Sequence, residues 1–383
     1  MRILFFMPNG SRTGSTQALC NLIGYAAGKG WEMAVACRTG GELLEQLPSS
    51  VPVFVQEKWG TARRTYARIA GRVLGDSDWF VTMVNAEFKP DVWYVNTIVL
   101  PEIVKQAEGQ SMPCILHSHE MEQMLSYLSE NDAARLAAYP ELIIACSASN
   151  GGVFRTLGRR DGIEVCYETI NPAGIKWDDG NSRALRRSLG IGDNTFVWAM
   201  SGTLDPNKNP LRFIELAGQM LENNLDVHFV WLGGGDTGYG VYVREKAQEL
   251  DLDKKVTFLG ARAADYHDWL NAADGLALTS SRDSFPLVGL EAAYIGKPIV
   301  SFNSGGVKEM VSEGMGVVVD SFNNADLVRA MAAVMKGEIS FDPRISKERV
   351  QEFFVDVQGE RWMNVMREYF ASRESQARQV QTV

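Results

Sequence analysis

Short apolar runs rich in β-branched residues alternate with longer helical patterns along almost the whole chain. In the first half, the predicted strands are residues 3–7, 33–37, 51–56, 92–96, 114–117 and 142–146. In the second half, they are residues 196–200, 228–232, 256–259, 275–278 and 298–302. Parallel strands need a crossover connection, which is usually a helix. The alternation therefore predicts open α/β sheets that are covered by helices on both faces.

The length of the chain, 383 residues, predicts more than one domain, because single hydrophobic cores stop growing near roughly 250–300 residues. Segment 171–194 is rich in Gly, Pro, Asn and Asp and predicts a linker. We therefore predict Rossmann-like domains over 1–178 and 179–346, and a terminal helical stretch over 347–383 that packs back toward the first domain. Ligands of such sheets bind beyond the carboxyl ends of the strands, so function is expected in the strand-to-helix loops.

Composition and charge exclude several classes of protein. The formal net charge is −9 at pH 7, and no basic domain is present, so we expect no nucleic-acid partner. No apolar run approaches the ~20 residues that span a bilayer, and the opening MRILFFMPNG is broken too early for a signal peptide. The 5 cysteines are scattered and predict buried free thiols. Together these features predict a soluble cytoplasmic protein.

Two glycine-containing loops are candidates for binding phosphate. Residues 10–16 (GSRTGST) follow the first strand and precede a helix, so their backbone N–H groups suit an anion; a plain strand-to-helix turn is the alternative. Residues 233–238 (GGGDTG) fit G-x-G-x-x-G. A dinucleotide fingerprint opens the first βαβ unit of its domain and is followed by a ribose-binding acid, and this segment meets neither condition. We therefore reject a dehydrogenase.

His117 and His119 end the strand at 114–117. Their i, i+2 spacing places both side chains on one face, which would suit a metal, but no third ligand has a suitable spacing in the sequence. A histidine that forms hydrogen bonds at the strand end is the favoured interpretation, and a core histidine is the alternative. We predict no metal site.

The richest cluster lies in the second half. The segment 201–210 (SGTLDPNKNP) follows a strand and opens a helix, with Asn209 as N-cap and Lys208 as a cation beside the helix N-terminus, a good seat for a diphosphate. Pro286 marks the start of another helix, flanked by Asp283 and Glu291. Two acids beside an anion-binding helix end suit the hydroxyls of a sugar nucleotide; solvated surface acids are the alternative.

These residues resemble a known family. Asp283 and Glu291 are separated by seven residues within SSRDSFPLVGLEAAYIGKPIV, which resembles the signature of family-4 retaining glycosyltransferases with the GT-B fold. SGTLDPNKNP, CILHSHE, CSASNGG and INPAGI are similar to other segments of that family, so the resemblance covers nearly the whole chain.

The resemblance implies two Rossmann-like domains that face each other across a central cleft, with the acceptor bound by 1–178 and the nucleotide sugar by 179–346. It implies transfer of a sugar from a UDP-, GDP- or ADP-linked donor to a hydroxyl acceptor, with retention of anomeric configuration and without a metal cofactor. The acceptor would be a glycan, a lipid-linked acceptor or a small molecule, as in polysaccharide biosynthesis.

The resemblance also implies roles for single residues. Glu291 would hold the ribose hydroxyls, Asp283 the hydroxyls of the donor sugar, and Lys208 the leaving diphosphate, while His119 would touch the sugar near the reacting centre. We therefore predict His119, Lys208 and Asp283 as catalytic. The predicted donor site comprises Gly14, Ser15, Gly202, Thr203, Lys208, Ala261, Arg262, Asp283, Ser284, Phe285, Leu287, Val288 and Glu291.

Three positions depart from the family pattern: Thr203 replaces an Arg, Asp283 replaces a Glu and Pro286 replaces a Gly. The first change removes a planar cation that suits phosphate. It keeps open a catalytically silent sugar-nucleotide-binding partner subunit. A GT-B-type sugar-nucleotide epimerase is a further alternative, although the 4 histidines offer few acid and base groups.

The segment 61–75 carries Arg63, Arg64, Arg68 and Arg72 beside Tyr66 and aliphatic residues. At helical spacing these residues form a basic amphipathic face. Such a face suits peripheral contact with the anionic inner face of a membrane, where a lipid-linked acceptor would reside. A solvated helix face is the alternative.

Overall fold

The computed structural model describes residues 1–61, 78–234 and 238–381. The chain divides into two compact units. Unit 1 comprises Met1–Thr169 and Phe354–Val383, and unit 2 comprises Ile170–Phe353. The predicted boundaries at 178/179 and 346/347 lie nine and seven residues from these divisions.

Unit 1 is built on a parallel sheet. Its strands are β1 (Arg2–Asn9), β2 (Glu32–Thr39), β3 (Val53–Val55), β4 (Val92–Asn96), β5 (Cys114–Ser118), β6 (Leu142–Ala145) and β7 (Ile163–Val165). Their order is β3-β2-β1-β4-β5-β6-β7. The described α-helices before the crossover to unit 2 are α1 (Gly14–Ala26), α2 (Trp79–Phe88), α3 (Pro101–Gly109), α4 (Glu130–Ala138) and α5 (Ala148–Thr156). Every paired strand runs parallel to its neighbour.

Alternate residues of β1 enter two separate cores. Phe5 packs in the core on one face of the sheet, while Leu4 and Phe6 pack in the core on the other. Strands that are buried on both faces need continuous apolar sequence, which explains why these strands stand out in the sequence as unbroken runs.

Unit 2 has a second parallel sheet. Its strands are β8 (Phe196–Ser201), β9 (Val227–Leu232), β10 (Val256–Phe258), β11 (Gly275–Leu278), β12 (Ile299–Phe302) and β13 (Gly316–Val319), in the order β10-β9-β8-β11-β12-β13. Its described α-helices are α6 (Asp179–Ser188), α7 (Pro210–Glu222), α8 (Gly238–Glu249), α9 (Tyr266–Ala272), α10 (Leu287–Ile295), α11 (Val307–Met310), α12 (Asn324–Met335) and α13 (Pro343–Gln351). The two parallel α/β units confirm the predicted fold class.

The last helix, α14 (Val355–Gln381), belongs to unit 1. It packs against α1 and contributes Trp362 and Met366 to the core around Phe5. The indole of Trp362 donates a hydrogen bond to the hydroxyl of Tyr94 on β4, at 3.0 Å. A buried indole N–H needs such an acceptor, so this bond fixes the helix against the sheet.

The prediction of a linker over 171–194 is wrong for much of that segment. It contains α6, whose first turn is capped by Asp178: the carboxylate accepts a hydrogen bond from the N–H of Asn181 at 2.8 Å. Arg186 then anchors the helix through a 3.0 Å ion pair with Asp274. The Asp, Gly and Asn residues that resemble a loop in the sequence are here the capping turn of a helix.

Other predictions concern residues across both units. All five cysteines are buried and free, as predicted. Among the described residues, no helix combines the length and the apolar character that crossing a bilayer requires. The arginines of the predicted amphipathic face lie outside the described residues, as do residues 235–237 of the glycine-rich loop.

Candidate functional site

In unit 2, the strand order reverses between β8 and β11, which is the place where open α/β sheets bind ligands. The loop after β8 carries Lys208, and the loop after β11 carries Asp283. Lys208 Nζ lies 2.7 Å from Asp283 Oδ2; the Asp283 side chain is 9% exposed and that of Lys208 is 25% exposed. The sheet topology thus joins two of the predicted residues in a largely buried ion pair.

The loop that carries Lys208 is shaped by Asp205. One carboxylate oxygen of Asp205 accepts hydrogen bonds from the backbone N–H groups of Asn207 and Lys208, at 2.8 and 2.9 Å. The Thr203 hydroxyl donates to the other oxygen. Asp205 was not predicted from the sequence, although an Asp that accepts from the N–H groups two and three residues later is a common turn former.

Glycine at 202 makes room for the Lys208 side chain, and glycine at 233 makes room for the backbone of Gly202. A Cβ at Gly202 would lie 3.1 Å from Lys208 Cγ, and a Cβ at Gly233 would lie 2.3 Å from the carbonyl oxygen of Gly202. Gly233 also has a φ of 106°, which L side chains rarely adopt. The lysine therefore lies across bare backbone, a close approach that larger residues would prevent.

Asp283 is clamped through its backbone as well as its side chain. Its N–H donates to Ser304 O at 2.8 Å, and its own carbonyl accepts from the N–H of Gly306 at 3.1 Å. The Ser280 hydroxyl donates to the same carboxylate oxygen that Lys208 contacts, at 3.1 Å. This clamp fixes the carboxylate in one orientation beyond the end of β11.

The helix α10 begins immediately after Pro286, where the sequence predicted a helix to begin. Its first N–H groups, including those of Leu287 and Val288, have no acceptor within the helix and form the positive end of its dipole. Phe285 is buried and its ring packs on Phe353, with 5.2 Å between ring centroids. The Phe285 side chain is therefore part of the core, while the neighbouring Ser284 is only half-buried.

Glu291 lies on α10 with its side chain 22% exposed. Its Oε2 accepts a hydrogen bond of 2.9 Å from the hydroxyl of Tyr266 on α9, and that hydroxyl also lies 3.1 Å from Ser201 Oγ. His267 Nε2 is 3.9 Å from the other carboxylate oxygen. The structure thus adds Tyr266, which the sequence did not reveal, as the residue that holds the predicted ribose-binding acid.

The predicted donor-site residues Ala261 and Arg262 lie in the loop just before α9. Ala261 is exposed, and Arg262 is half-buried. Arg262 Nε donates to Asp265 Oδ1 at 2.9 Å, and a second guanidinium nitrogen donates to the other oxygen of the same carboxylate. This fork-to-carboxylate pairing rigidifies the loop.

Unit 1 has its own reversal of strand order, between β1 and β4. Gly14 and Ser15 form the first turn of α1, which follows β1. The amide nitrogen of Asn96, at the end of β4, donates to Ser15 O at 3.2 Å, and Asn96 Oδ1 lies 2.8 Å from His119 Nε2. Asn96, which was not predicted, therefore connects the predicted loop at Gly14 and Ser15 to the predicted His119.

His119 also contacts a carboxylate that was not predicted from the sequence, that of Glu168. His119 Nδ1 lies 2.6 Å from Glu168 Oε1, and the two side chains are 4% and 5% exposed. Burial opposes a charge on the ring, but the Glu168 carboxylate outweighs it and raises the pKa of His119. The neighbouring His117 ring lies 4.1 Å away between centroids. Burial, and then the charge on His119, hold the pKa of His117 well below its usual range.

A metal-like grouping also arises here. Ligand atoms of His119, Cys146 and Glu168 lie within 4.8 Å of one another, a proximity that the sequence spacing conceals. The 2.6 Å between His119 Nδ1 and Glu168 Oε1 is shorter than the ~3.4 Å expected between two ligands of one tetrahedral zinc ion, which lie about 2.1 Å from the metal. The geometry favours a charge-assisted hydrogen bond.

The backbone beside this pair is strained. Thr97 is β-branched and has a φ of 119°, a conformation that such residues rarely adopt. Its hydroxyl donates to the Glu120 carboxylate, which also accepts the backbone N–H groups of Ile98 at 3.2 Å and His119 at 3.1 Å. Strained backbone persists where the surroundings over-determine it, and it is frequent at functional sites.

Comparison with known proteins places these features in context. Residues 181–351 match the family described as glycosyl transferases group 1. The chain is 31% identical over 179 residues to a D-inositol 3-phosphate glycosyltransferase of Kribbella flavida, covering 44% of this chain and 42% of that protein. It is 38% identical over 149 residues to a UDP-Gal:alpha-D-GlcNAc-diphosphoundecaprenol alpha-1,3-galactosyltransferase of Escherichia coli, covering 37% and 38%. The matches thus span less than half the length of these curated relatives.

Solved structures cover the whole fold. The Anabaena protein Alr3699/HepE in complex with UDP and glucose superposes with a TM-score of 0.79 at 22% identity, over 96% of this chain and 100% of that chain. A sucrose-phosphate synthase from Thermosynechococcus elongatus gives 0.76 at 16% identity, over 97% and 100%. At these identities the likeness shows the fold alone, and the fold is that of a GT-B protein.

Proposed function

We propose that the protein is a glycosyltransferase of the family-4 kind, which moves a sugar from a nucleotide-diphosphate donor to a hydroxyl acceptor with retention of anomeric configuration. The observation that carries the proposal is the Lys208–Asp283 pair at the reversal of strand order in unit 2. It lies within the segment that resembles glycosyl transferases group 1. Of the relatives, the E. coli enzyme is named for a UDP-sugar, and the Anabaena structure contains UDP and glucose. We therefore favour a UDP-linked donor over GDP- and ADP-linked ones.

The donor diphosphate would bind at Lys208. A lysine ammonium has three N–H donors, and its bond to Asp283 occupies one of them. Lys208 precedes α7 by two residues, and the dipole of this helix also favours an anion at its N-terminus. Asn209 caps this helix by accepting an N–H in its first turn. Asp283 would thus orient the Lys208 ammonium, and the two remaining N–H donors would bind the phosphates.

The sugar and the nucleoside would use the two acids. Asp283 Oδ2 accepts from Lys208 and Ser280, so Oδ1 is the oxygen proposed to accept from a hydroxyl of the donor sugar. Glu291, held by Tyr266, would accept from the ribose hydroxyls. The nucleobase would lie beside the loop at 261–262. The bidentate contact of the Arg262 guanidinium with the Asp265 carboxylate maintains the shape of this loop.

Catalysis would rest on charge stabilisation. Negative charge builds on the diphosphate as the glycosidic bond breaks, so a fixed cation stabilises the transition state more than the bound donor. We propose that Lys208 supplies this charge without a metal, and that the leaving phosphate accepts the proton of the acceptor hydroxyl on the same face of the sugar. Glu120 and Glu168 of unit 1 are engaged with Thr97 and His119, which argues against either as a covalent nucleophile.

The acceptor would be a glycan, a lipid-linked sugar or a small molecule bound by unit 1. The name of the E. coli relative specifies a diphosphoundecaprenol-linked acceptor, and the arginine-rich segment 61–75 would suit the inner face of a membrane. We accordingly propose action in the cytoplasm, in the assembly of a polysaccharide or a related glycan.

A silent sugar-nucleotide-binding subunit is the second candidate. Thr203, which stands in place of the family's Arg, is exposed and its hydroxyl donates to Asp205. It therefore adds no cation to the proposed diphosphate-binding site. Thermal shift with UDP-, GDP-, ADP- and dTDP-linked sugars identifies the donor, and hydrolysis with and without acceptors measures turnover. Stabilisation with turnover supports the transferase, and stabilisation without turnover on any acceptor supports the silent subunit. If no nucleotide sugar stabilises the protein, both candidates are rejected.

A further inference from the structure

The hydrogen bonds around His119 restrict where its protons can be. Asn96 Nδ2 can only donate, and it faces the carbonyl oxygen of Ser15 at 3.2 Å. Asn96 Oδ1 must therefore be the atom 2.8 Å from His119 Nε2, and an amide oxygen can only accept. His119 Nε2 therefore carries a proton.

The other ring nitrogen faces a carboxylate. His119 Nδ1 and Glu168 Oε1 are 2.6 Å apart and buried. One proton must lie between them, either on the ring, which gives an imidazolium and a carboxylate, or on the acid, which gives two neutral groups. Charge-assisted bonds are the shorter and stronger class, which favours the ionic arrangement.

His117 occupies the opposite state. The indole of Trp362 can only donate, and it donates to the Tyr94 hydroxyl at 3.0 Å. The Tyr94 proton then points to His117 Nδ1, 2.8 Å away, so that Nδ1 must accept and the ring is neutral. Two imidazoles whose centroids are 4.1 Å apart would repel each other strongly if both were charged. A neutral His117 therefore permits a charged His119.

We propose that Glu168 is a positioning residue that keeps His119 doubly protonated, as a fixed cation bonded to Asn96 and so to the first turn of α1. The other titratable groups around the ring are Glu120, whose carboxylate accepts the His119 backbone N–H, and the Cys146 thiol, which lies within the same 4.8 Å group. With both ring nitrogens donating to the protein, His119 acts by charge and alignment and not as a proton carrier.

This role in transfer rests on the proposed function, but the protonation state does not. Ring-nitrogen NMR of the ¹⁵N-histidine-labelled full chain, assigned with a His119→Gln variant, separates doubly from singly protonated rings. At pH 7.5, we expect two protonated nitrogens for His119 and a neutral ring for His117. A His119 ring with one bare nitrogen at this pH would overturn the proposal without any further variant being made.

Glu168→Gln keeps the shape and the hydrogen-bond acceptor but removes the charge. We expect the His119 titration midpoint to fall by at least about one pH unit, the lower end of the effect of an adjacent opposite charge. The same change at the exposed Glu164 on β7 is the control and should leave the midpoint unchanged. If Glu168→Gln also leaves it unchanged, Glu168 does not hold the charge.

The transfer reaction provides a separate result. The protonated ring is the active form, so activity is lost as pH rises through its midpoint. In Glu168→Gln, the alkaline limb of the kcat/KM profile should shift to lower pH by the same amount as the NMR midpoint. A purely structural loss would instead lower activity equally at every pH. A folded protein with the expected ring spectra and no transfer would contradict the proposed function and leave the charge state of His119 intact.

Discussion

Replacing Lys208 by Met tests whether the ion pair of unit 2 is a buried, structurally important contact. The ammonium lies 2.7 Å from Asp283, whose side chain is 9% exposed. Removing one partner of a fully buried pair costs about 3–5 kcal/mol, because the other charge stays buried without its partner. Asp283 keeps the Ser280 hydroxyl, and Lys208 itself is 25% exposed. We therefore expect Lys208→Met to lower the free energy of unfolding by about 2 kcal/mol, less than the range for a fully buried pair.

The reverse change should cost less. Asp283→Asn leaves an ammonium whose partly exposed side chain can turn to water, so we expect a loss of about 1 kcal/mol. The double variant should lose less than the sum of the two, with a coupling energy of about 1–2 kcal/mol. The inequality of the single variants follows from the different exposures of the two side chains.

Hydrogen exchange measured by mass spectrometry at increasing urea reports the opening of unit 2 from its own peptides. Lys254→Met removes an exposed lysine from the same unit and is the matched control, with an expected change below about 0.5 kcal/mol. Equal losses for the two single variants, or losses that add in the double variant, would refute the reasoning.

Further predictions concern Glu291, Tyr266 and His228 of unit 2. Glu291→Ala should weaken donor binding by about 2–3 kcal/mol and Tyr266→Phe by about 1 kcal/mol, because the first removes a charged acceptor and the second only its support. Calorimetric titration with the stabilising donor measures both. If Glu291→Ala binds the donor as tightly as the parent protein, Glu291 is not part of the site. Burial, and then Lys255 and Arg186, lower the pKa of His228 to about 4, below the ~6.5 of a solvated histidine. At a pH between these two pKa values, the unfolded chain binds a proton at His228 that the native state does not bind. The free energy of unfolding should therefore fall by about 2 kcal/mol as pH drops through this range, and it should fall less in His228→Gln. Urea midpoints of both proteins at pH 7 and about pH 4.5 measure the difference. An equal fall in the two proteins would contradict this prediction.

Much of the architecture follows from local pattern. Most strands were visible because strands buried on both faces need uninterrupted apolar sequence. The strands β7 and β13 were missed: β7 is an edge strand whose central residue is the exposed Glu164, so it shows no apolar run, and β13 follows a turn at Gly314 that breaks the run. The capping turn of α6 at Asp178 has loop composition, so composition alone pointed to a linker.

The site divides in the same way. Lys208 and Asp283 were predicted separately, but their contact depends on β8 and β11 being neighbours in the sheet, which no local pattern encodes. Glu168 and Asn96 were missed because each contacts His119 across strand pairings, from 49 and 23 positions away. The signal available was a polar residue closing or interrupting an apolar run, as at Asn96 after VWYV.

Lys208 and its surroundings, on this account, stabilise the departure of a nucleotide diphosphate during sugar transfer. The most direct measurement is the rate and stereochemistry of transfer from a UDP-sugar to acceptors chosen from the names of the relatives, inositol 3-phosphate and a GlcNAc-diphospholipid, followed by mass spectrometry and NMR of the product. We expect a product with the anomeric configuration of the donor, formed about 10²–10³-fold more slowly by Lys208→Ala and at an unchanged rate by Lys254→Ala. Transfer that is undiminished in Lys208→Ala, an inverted product, or tight donor binding without any transfer by the parent would contradict it.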